Sequence, residues 1–376
     1  ARPGSGPFVA DEVDLVRAHT ALRVVAPTRW VPPAPRPQWR RERAVRVFEL
    51  WRGVPVFRPR VLALPGGGLE VESRLWPSRL WPLVRRLAAT NPVSFVHAHF
   101  GVPDGFAALA LARRLGVPAL VTLYGDDVLA YARKRRVRGL VKAVVRGADH
   151  LIAVSNELRE RAIELGADPA DVTLIPSSAP ASFRPLARDD ARARLGLAPD
   201  ERWVVWMGSA APKKRPHVAL AAFALAAGRD ASLRLAMVGD GARIPELRTL
   251  AGELGILPHV RFVGYVDRDQ VPVWESAGDV VCSSSSSEGT PNVLVEALVC
   301  GTPIVGFPVG GIPELVHATG SGTLAADDTP AALAEALASE LAHPRRREDV
   351  ARSAAPFTRG ATAAALLDVY RRFAGA

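Results

Sequence analysis

The sequence is poor in cysteine, with only Cys282 and Cys300 among its 376 residues. Two cysteines in apolar surroundings exclude a disulfide framework and favour buried thiols in a reducing compartment. No run of about twenty apolar residues occurs, which excludes a membrane-spanning helix, and the first residues lack a signal-peptide pattern. We therefore expect a cytoplasmic protein, with peripheral attachment at the inner face of the membrane as the alternative.

Lysine is also scarce, because it occurs only at positions 134, 142, 213 and 214, so arginine carries nearly all of the positive charge. Residues 1–186 have 28 Lys and Arg against 16 Asp and Glu, a net charge of +12. Residues 187–376 have 20 against 22, a net charge of −2. The first half therefore favours an anionic partner such as an acidic membrane face or a lipid diphosphate. A coding bias towards arginine explains the excess equally well.

Hydrophobic residues make up 48% of the chain, which is enough for two domains with separate cores. Apolar strand patterns such as Ala119–Leu123 and Trp203–Gly208 alternate with helical patterns through both halves. This alternation predicts an α/β fold with two doubly wound parallel sheets. We place the two domains at residues 1–186 and 187–355, followed by a C-terminal helical segment at residues 356–376.

The most informative segment is SSSSSEGTPNVLVEALVCG, residues 283–301. Val280–Cys282 is typical of the end of a buried strand, the serines of a turn, and Pro291–Val299 of a helix. Thr290 suits the N-cap position and Pro291 the first helical position. A helix start presents backbone N–H groups and the positive end of the helix dipole. The pattern therefore predicts an anion site that is best suited to phosphate.

Two carboxylates bracket this anion site. Glu288 precedes the helix, and Glu296 lies within the helix on the same face as Asn292. Because carboxylates accept hydrogen bonds from sugar hydroxyls, the arrangement suits a sugar nucleotide, with its diphosphate in the middle, a ribose on one side and a hexose on the other. The alternative interpretation is that both glutamates are ordinary solvated charges.

The run EGTPNVLVE from Glu288 to Glu296, followed by ALVCGTPIV, resembles the E-x7-E signature of retaining GT-B glycosyltransferases of the family-four type, the glycosyl transferases group 1. The run GGIPELV, Gly310–Val316, resembles the next glycine-rich turn of that family. The resemblance implies two Rossmann-like domains facing across a cleft. It assigns acceptor binding to the first domain and nucleotide-sugar binding to the second, with the last helix crossing back to the first. The first strand of that fold has no counterpart here, so we expect it to be absent.

The same resemblance assigns site residues. The catalytic candidates are Glu288, Lys214, which matches the family's phosphate-binding lysine, and His99, which matches a histidine at a strand end. The donor-binding candidates are Ser209, Lys213, Val266, Gly289, Thr290, Pro291, Asn292, Val293 and Glu296. Further candidates for contact with the donor or the acceptor are Gly6, Tyr124 and Asp127.

Three positions depart from the family's pattern. Tyr124 stands where the His-Gly-x-Asp turn has its histidine, and we expect it to donate a hydrogen bond to the donor sugar. Ser209 stands where the phosphate-binding loop has an arginine, so that Lys213 or Arg215 would have to supply that charge. Ser177-Ser178 replaces an Asn-Gly pair. We expect the other histidine of the strand, His97, to face the core.

The resemblance implies transfer of a sugar from a nucleoside-diphosphate sugar to an acceptor hydroxyl with retention of configuration, in the biosynthesis of cell-surface glycans or lipid-linked saccharides. Asp126-Asp127 is adjacent and is not spaced like the Asp-x-Asp motif of metal-dependent enzymes, so we expect neither a metal ion nor another cofactor. Alternatives are a sugar-nucleotide epimerase and a non-catalytic scaffold of the same fold. A glycogen-type phosphorylase is disfavoured by the short chain and the absence of a pyridoxal-binding lysine context.

Residues 131–146, YARKRRVRGLVKAVVR, combine a dense cationic segment with apolar positions at helical spacing. This pattern indicates a basic amphipathic helix, whose outer face is either simply solvated or a patch for an anionic membrane surface or a phosphorylated acceptor. Nucleic acid is not an expected partner, because no groove-reading motif accompanies the charge.

Overall fold

A computed structural model describes residues 7–30, 43–62 and 68–374 of the chain. The candidate residue Gly6 lies outside these ranges. The chain divides into two compact units, one formed by Ala1–Ile175 with Ala363–Ala376 and the other by Pro176–Thr362. The domain limits inferred from the sequence, residues 186 and 355, stay a prediction.

The first unit contains a four-stranded parallel sheet with helices on both faces. The strands of the whole unit are β1 (Val24–Val25), β2 (Thr28–Trp30), β3 (Phe48–Trp51), β4 (Val54–Phe57), β5 (Arg60–Leu62), β6 (Val96–His99), β7 (Ala119–Leu123), β8 (His150–Ala153) and β9 (Val172–Leu174). Its helices are α1 (Pro7–Val16), α2 (Gly68–Thr90), α3 (Phe106–Leu115), α4 (Asp126–Leu129), α5 (Arg138–Gly147) and α6 (Asn156–Glu164). The parallel sheet has the order β6-β7-β8-β9, and smaller sheets join β1, β4 and β3, and β2 and β5.

Strand β7 is buried along its whole length, because side chains on both of its faces meet helices. Val121 and Leu123 pack with residues of α3, α5 and α6. Leu120 points to the other face, where it packs with Leu15 of α1 and Val369 near the C-terminus. A strand covered on both faces requires a continuous apolar run, which is what Ala119–Leu123 provides.

The second unit is built on a six-stranded, all-parallel sheet. Its strands are β10 (Arg202–Met207), β11 (Leu233–Val238), β12 (Val260–Gly264), β13 (Val280–Ser283), β14 (Ile304–Gly306) and β15 (Gly322–Leu324). Its helices are α7 (Arg188–Leu195), α8 (Pro216–Ala227), α9 (Ile244–Glu253), α10 (Val271–Ala277), α11 (Asn292–Val299), α12 (Ile312–Thr319), α13 (Pro330–Ala342) and α14 (Arg347–Ser353), and α15 (Arg359–Phe373) begins here and ends in the first unit.

The strands of this sheet lie in the order β12-β11-β10-β13-β14-β15. Successive strands are added on one side of β10 up to β12, and then on the other side from β13 onwards. Trp206 on β10 lies beside Cys282 on β13. In open parallel sheets, ligands bind beyond the carboxyl ends of the strands at such a switch point. The loops that follow β10 and β13 are therefore the expected place of a ligand site in this unit.

A buried arginine ties α7 to this sheet. Arg192 donates hydrogen bonds to the carbonyl oxygens of Ala277 and Pro199 and forms a 2.7 Å ion pair with Asp279, which also accepts from the Trp203 N–H. The guanidinium thus satisfies groups from two segments of the unit, the one around Ala277 and Asp279 and the one at Pro199.

Replacing Arg192 by methionine is expected to lower the free energy of unfolding by about 3–5 kcal/mol, because Asp279 and two carbonyl groups would lose a buried partner. Urea unfolding of the purified variant measures the loss. Arg194→Met on the exposed side of the same helix is the control and is expected to stay within about 0.5 kcal/mol of the parent. Equal losses in the two variants would contradict this role of Arg192.

The basic segment of the first unit has an apolar side that faces inward. A 3-10 turn, Tyr131–Arg133, precedes α5, and Val137, Leu140, Val141, Val144 and Val145 are all buried in the core. Its exposed side carries Arg133, Lys134, Arg135, Arg136 and Arg138. The segment therefore presents cationic side chains to the surroundings, whereas its apolar side chains are committed to the fold. Within the described ranges, no helix is both long enough and apolar enough to span a bilayer.

Candidate functional site

A cavity of about 250 Å³ lies at the carboxyl ends of β10 and β13. Six of the predicted site residues line it, namely Lys214, Glu288, Thr290, Pro291, Asn292 and Val293. The rest of its lining is formed by Trp206, Met207, Cys282, Ser283, Ser285 and Leu294. The structure thus brings the lysine loop, the acidic loop and the start of α11 to one place at the switch point.

The two catalytic candidates of this unit are in direct contact. Lys214 Nζ lies 2.6 Å from Glu288 Oε1, and the Glu288 side chain is only 9% exposed. An ammonium group in a partly enclosed site stabilises negative charge more strongly than it does in bulk water. The pair therefore offers a cation and a hydrogen-bond acceptor to one ligand.

The run of serines is a network that joins the two loops. Ser284 Oγ donates to the carbonyl oxygens of Lys214 and Arg215 and accepts from Trp206 Nε1. The Ser286 N–H donates to the carbonyl oxygen of Lys213. These bonds hold the backbone of the lysine loop against the loop that carries Glu288. They thereby fix the position of the Lys214 backbone at the cavity.

The start of α11 differs in one respect from the prediction. The helix begins at Asn292, and Pro291, not Thr290, occupies the N-cap position, with no hydrogen bond from a capping side chain. Pro291 adopts an extended conformation, and its carbonyl oxygen accepts from the N–H groups of Leu294 and Val295. A proline cap leaves the N-terminal turn without the side-chain oxygen that would otherwise satisfy its N–H groups, which suits a helix start that binds an anion.

The glycine-rich turn at Gly310–Gly311 packs against the backbone of the acidic loop. The Gly311 N–H donates to the carbonyl oxygen of Gly289 at 2.7 Å. Gly310 has a φ of +58°, and a Cβ at this position would overlap the Glu288 carbonyl oxygen and lie 2.7 Å from its carbonyl carbon. Only glycine allows this close approach, so the turn supports the position of Glu288.

The remaining donor-binding candidates lie outside the lining of this cavity, among the residues that the structure describes. Ser209 is exposed in the loop after β10, Val266 follows β12, and Gly289 accepts the hydrogen bond from Gly311. The lysine loop holds Lys213, whose side chain is exposed and whose carbonyl group bonds Ser286. Their contacts with a donor stay predictions.

Glu296 lies on α11 near a buried acid that the sequence pattern did not reveal. Glu275 of α10 has no solvent exposure, and burial followed by the charge of Glu296 raises its pKa well above the usual range. Both causes favour the protonated form of Glu275, which avoids a second negative charge next to Glu296. Burial likewise raises the pKa of Cys282 to about 12, so this thiol beside the cavity is protonated and is a poor nucleophile.

The third catalytic candidate lies in the first unit, at the carboxyl end of β6. His99 Nδ1 lies 2.9 Å from the hydroxyl oxygen of Tyr124, which follows β7. The neighbouring His97 is half-buried and lies 2.8 Å from hydroxyl groups of Tyr370 and Thr122, and desolvation of its ring lowers its pKa well below the usual range. The expectation that His97 faces the core is confirmed.

Asp127 has a structural role that accounts for its burial. Its carboxylate accepts hydrogen bonds from the backbone N–H groups of Gly101, Tyr124 and Gly125. Burial nonetheless raises the pKa of Asp127. The side chain joins the turns that follow β6 and β7, and so it sets the positions of His99 and Tyr124. Its contact with a substrate stays a prediction.

Two sequence profiles together match most of the chain. The profile of the glycosyl transferases group 1 matches residues 187–356, and that of glycosyltransferase family 4 matches residues 14–179. Among curated proteins, D-inositol 3-phosphate glycosyltransferase 2 of Catenulispora acidiphila is 35% identical over 306 residues, 74% of this chain and 70% of the relative. A D-inositol 3-phosphate glycosyltransferase of Thermomonospora curvata is 38% identical over 320 residues, 77% and 74% of the two chains.

Solved structures agree on the fold. Sucrose-phosphate synthase from Thermosynechococcus elongatus aligns with a TM-score of 0.80 and 22% identity over 99% of this chain and 94% of its own. Anabaena HepE in complex with UDP aligns with a TM-score of 0.73 and 18% identity over 99% and 98%.

The family predicted from the run between Glu288 and Glu296 is thus confirmed by relatives that exceed 30% identity over more than two thirds of this chain. The parallel sheets of the two units are those of two Rossmann-like domains. The chain belongs to the glycosyl transferases group 1 and is a glycosyltransferase with the GT-B fold.

Proposed function

We propose that this glycosyltransferase moves a sugar from a nucleoside-diphosphate sugar to an acceptor hydroxyl with retention of configuration and without a metal ion. The observation that carries the proposal is the contact of Lys214 with Glu288 on the wall of a cavity that also contains the start of α11. A cation, a helix start and a carboxylate are the three groups that a diphosphate attached to a sugar requires.

The donor is oriented by this arrangement. The diphosphate lies at the N-terminal turn of α11 and beside Lys214, Glu288 accepts hydrogen bonds from hydroxyls of the transferred sugar, and Glu296 accepts from the ribose. The complexes of the structural neighbour HepE with UDP, and with UDP and glucose, support a ligand of this class. When the donor binds, the Lys214–Glu288 ion pair separates. Lys214 then contacts the diphosphate, and Glu288 accepts hydrogen bonds from the sugar hydroxyls.

The bond from the sugar's anomeric carbon to the diphosphate breaks, and a bond from the same carbon to the acceptor oxygen forms on the same face. The acceptor proton passes to an oxygen of the leaving diphosphate. Lys214 and the backbone N–H groups of α11 stabilise the negative charge that develops there, an effect of about 3–4 kcal/mol for one well-placed donor. Because Lys214 and the N–H groups of α11 supply positive charge to the leaving diphosphate, the step is proposed to proceed without a metal.

The acceptor is proposed to be an anionic glycan precursor or a lipid-linked saccharide. Five cationic side chains, Arg133, Lys134, Arg135, Arg136 and Arg138, are exposed on one segment of the first unit. Such a patch attracts phosphorylated acceptors and acidic membrane surfaces, more strongly at low ionic strength. The curated relatives, whose names specify D-inositol 3-phosphate, also support an acceptor that combines hydroxyl groups with a phosphate.

We expect a nucleoside-diphosphate sugar at one hundred times its dissociation constant to stabilise the protein by about 2.7 kcal/mol, because it binds the folded state alone. A thermal-shift panel of nucleotide sugars identifies the donor. Transfer assays in the presence of EDTA, with the anomeric configuration of the product read by NMR, then test retention and metal independence. Inversion of configuration, or activity that returns only with a divalent ion, would contradict the corresponding part of the proposal.

A further inference from the structure

A chain of hydrogen bonds reaches His99 from the first helix of the protein. The Tyr124 hydroxyl donates to Glu12 Oε2 at 2.8 Å, and its oxygen lies 2.9 Å from His99 Nδ1. Glu12 belongs to α1, Tyr124 follows β7 and His99 ends β6, so three separate elements place these groups in a row. Sequence reasoning had singled out His99 and Tyr124 but not Glu12.

Glu12 determines which group donates in each hydrogen bond of this series. A carboxylate can only accept hydrogen bonds, whereas a tyrosine hydroxyl has a single proton to donate. Since that proton points to Glu12, the tyrosine oxygen can only accept from His99, which requires the proton of the neutral imidazole to be on Nδ1. Burial, followed by the charge of Glu12, raises the pKa of Tyr124 well above its usual range, so the hydroxyl keeps its proton.

The other atoms of the three groups agree with this order. Glu12 Oε1 is buried and has no hydrogen-bond partner among the described residues. No other hydrogen-bond donor therefore draws the carboxylate away from the Tyr124 hydroxyl. His99 Nε2 likewise forms no hydrogen bond within the described part of the chain, and its side chain is 19% exposed. An imidazole with its proton on Nδ1 presents Nε2 as an acceptor.

We propose that Glu12 is a positioning residue that acts through Tyr124 to hold His99 as the Nδ1–H tautomer, so that Nε2 accepts a hydrogen bond from a hydroxyl group of the substrate. This proposal rests on the proposed function, because the hydroxyl belongs either to the transferred sugar or to the acceptor. It also corrects the expectation that Tyr124 donates a hydrogen bond to the donor sugar, because the single proton of its hydroxyl points to Glu12.

A metal site is the competing interpretation of the same side chains. Glu12, His97 and His99 each offer one ligand atom, all within 4.8 Å of one another. However, both ring nitrogens of His97 lie 2.8 Å from hydroxyl groups of other residues, and the Tyr124 hydroxyl bridges His99 and Glu12. Because both ring nitrogens of His97 already form hydrogen bonds, neither is left for a metal ion, and the relay is the better account of the cluster.

Glu12→Gln tests the relay, because a side-chain amide of nearly the same shape can donate as well as accept. The amide allows the tyrosine proton to turn towards His99 Nδ1, which places the imidazole proton on Nε2. We expect long-range 1H–15N spectra of histidine-labelled protein, with the His99 signals assigned from His99→Gln, to show the Nδ1–H tautomer in the parent and a large Nε2–H population in Glu12→Gln and Tyr124→Phe. These spectra are recorded without substrate, so they do not depend on the proposed function.

Kinetics test the consequence. If one molecule in ten retains the competent tautomer, kcat falls about 10-fold, with the donor KM nearly unchanged. Because Glu12 acts through Tyr124, adding Glu12→Gln to Tyr124→Phe is expected to cause no further loss. Hydrolysis of the donor without acceptor falls equally if the hydroxyl belongs to the transferred sugar, and is unchanged if it belongs to the acceptor. Asp14→Asn, which removes the ion pairs of another α1 carboxylate with Arg17 and Arg52, is the control and is expected to leave spectra and kcat unchanged.

Three results would overturn the relay. The first is an unchanged His99 tautomer in Glu12→Gln. The second is an additive loss of kcat in the double variant. The third is stoichiometric binding of Zn²⁺ by the parent that Glu12→Gln abolishes, together with loss of activity in EDTA. If the tautomer switches as expected but no donor supports transfer, the proposed function is wrong and the hydrogen-bond order stands.

Discussion

Replacing Lys214 by methionine is expected to lower kcat by about 10²–10³-fold, if the cavity at the carboxyl ends of β10 and β13 binds the donor as proposed. Methionine keeps the length and bulk of the side chain but removes the positive charge. Since Lys214 acts mainly on the charge that develops on the leaving diphosphate, the loss appears in kcat, and the donor KM changes much less. Steady-state transfer kinetics with the donor identified by thermal shift measure both constants.

Lys213→Met is the matched control for this substitution. Lys213 is the preceding lysine of the same loop, and the contact that holds the loop uses its carbonyl oxygen, which the substitution retains. We expect this variant to keep kcat within about 3-fold of the parent, a change of less than 1 kcal/mol in the barrier, whereas a contact of Lys213 with the donor would appear as a higher donor KM. A large loss in Lys213→Met with little loss in Lys214→Met would show that the two lysines had been assigned the wrong way round.

The partner of Lys214 separates loss of chemistry from loss of folding. Lys214→Met leaves the carboxylate of Glu288 without its cation in a position that is 9% exposed, which destabilises the protein. Adding Glu288→Gln removes that charge, so the double variant is expected to regain thermal stability but not activity. Recovery of both together would mean that the single variant was inactive only because it was poorly folded.

The sequence predicts those parts of the fold that local pattern determines. Ala119–Leu123 was predicted as a strand and is one with the same bounds, because a strand covered on both faces needs a continuous apolar run. The strand predicted at Trp203–Gly208 is observed at Arg202–Met207 for the same reason. The order of β13, the acidic loop and α11 was predictable as well, since strand, loop and helix patterns follow one another directly in the chain, whereas the phosphate site itself stays a prediction.

The features that escaped prediction depend on partners far away in sequence. The hydroxyl of Ser284 bonds carbonyl groups 70 and 69 positions earlier, so nothing near the serine run reveals what it holds. Glu12 lies 112 positions from Tyr124, and as an isolated acid in a helix it resembles many solvated glutamates. The N-cap at Pro291 escaped prediction for a local reason. Thr290 is the better capping residue by propensity, but the loop geometry overrides that preference.

The support of the acidic loop by Gly310 leads to the second large effect. Gly310→Ala is expected to lower kcat about 100-fold, because a Cβ would collide with the backbone carbonyl group of Glu288 and displace that side chain from the cavity. A displacement of about 1 Å of a positioned catalytic group is sufficient for a loss of this size. Transfer kinetics measure the loss, and thermal unfolding of the same sample shows how much of it reflects folding.

Gly320→Ala is the control that separates the steric clash with Glu288 from the cost of a left-handed alanine. Gly310 and Gly320 have nearly the same left-handed backbone, with φ values of +58° and +61°, so alanine costs about 1–2 kcal/mol at either position. A Cβ at Gly320 meets no atom within 4 Å, whereas one at Gly310 meets the backbone of Glu288. We therefore expect similar destabilisation from the conformation in both variants, but loss of activity in Gly310→Ala alone. If Gly320→Ala loses as much activity, backbone strain from the left-handed alanine is responsible, and the turn at Gly310 does not position Glu288.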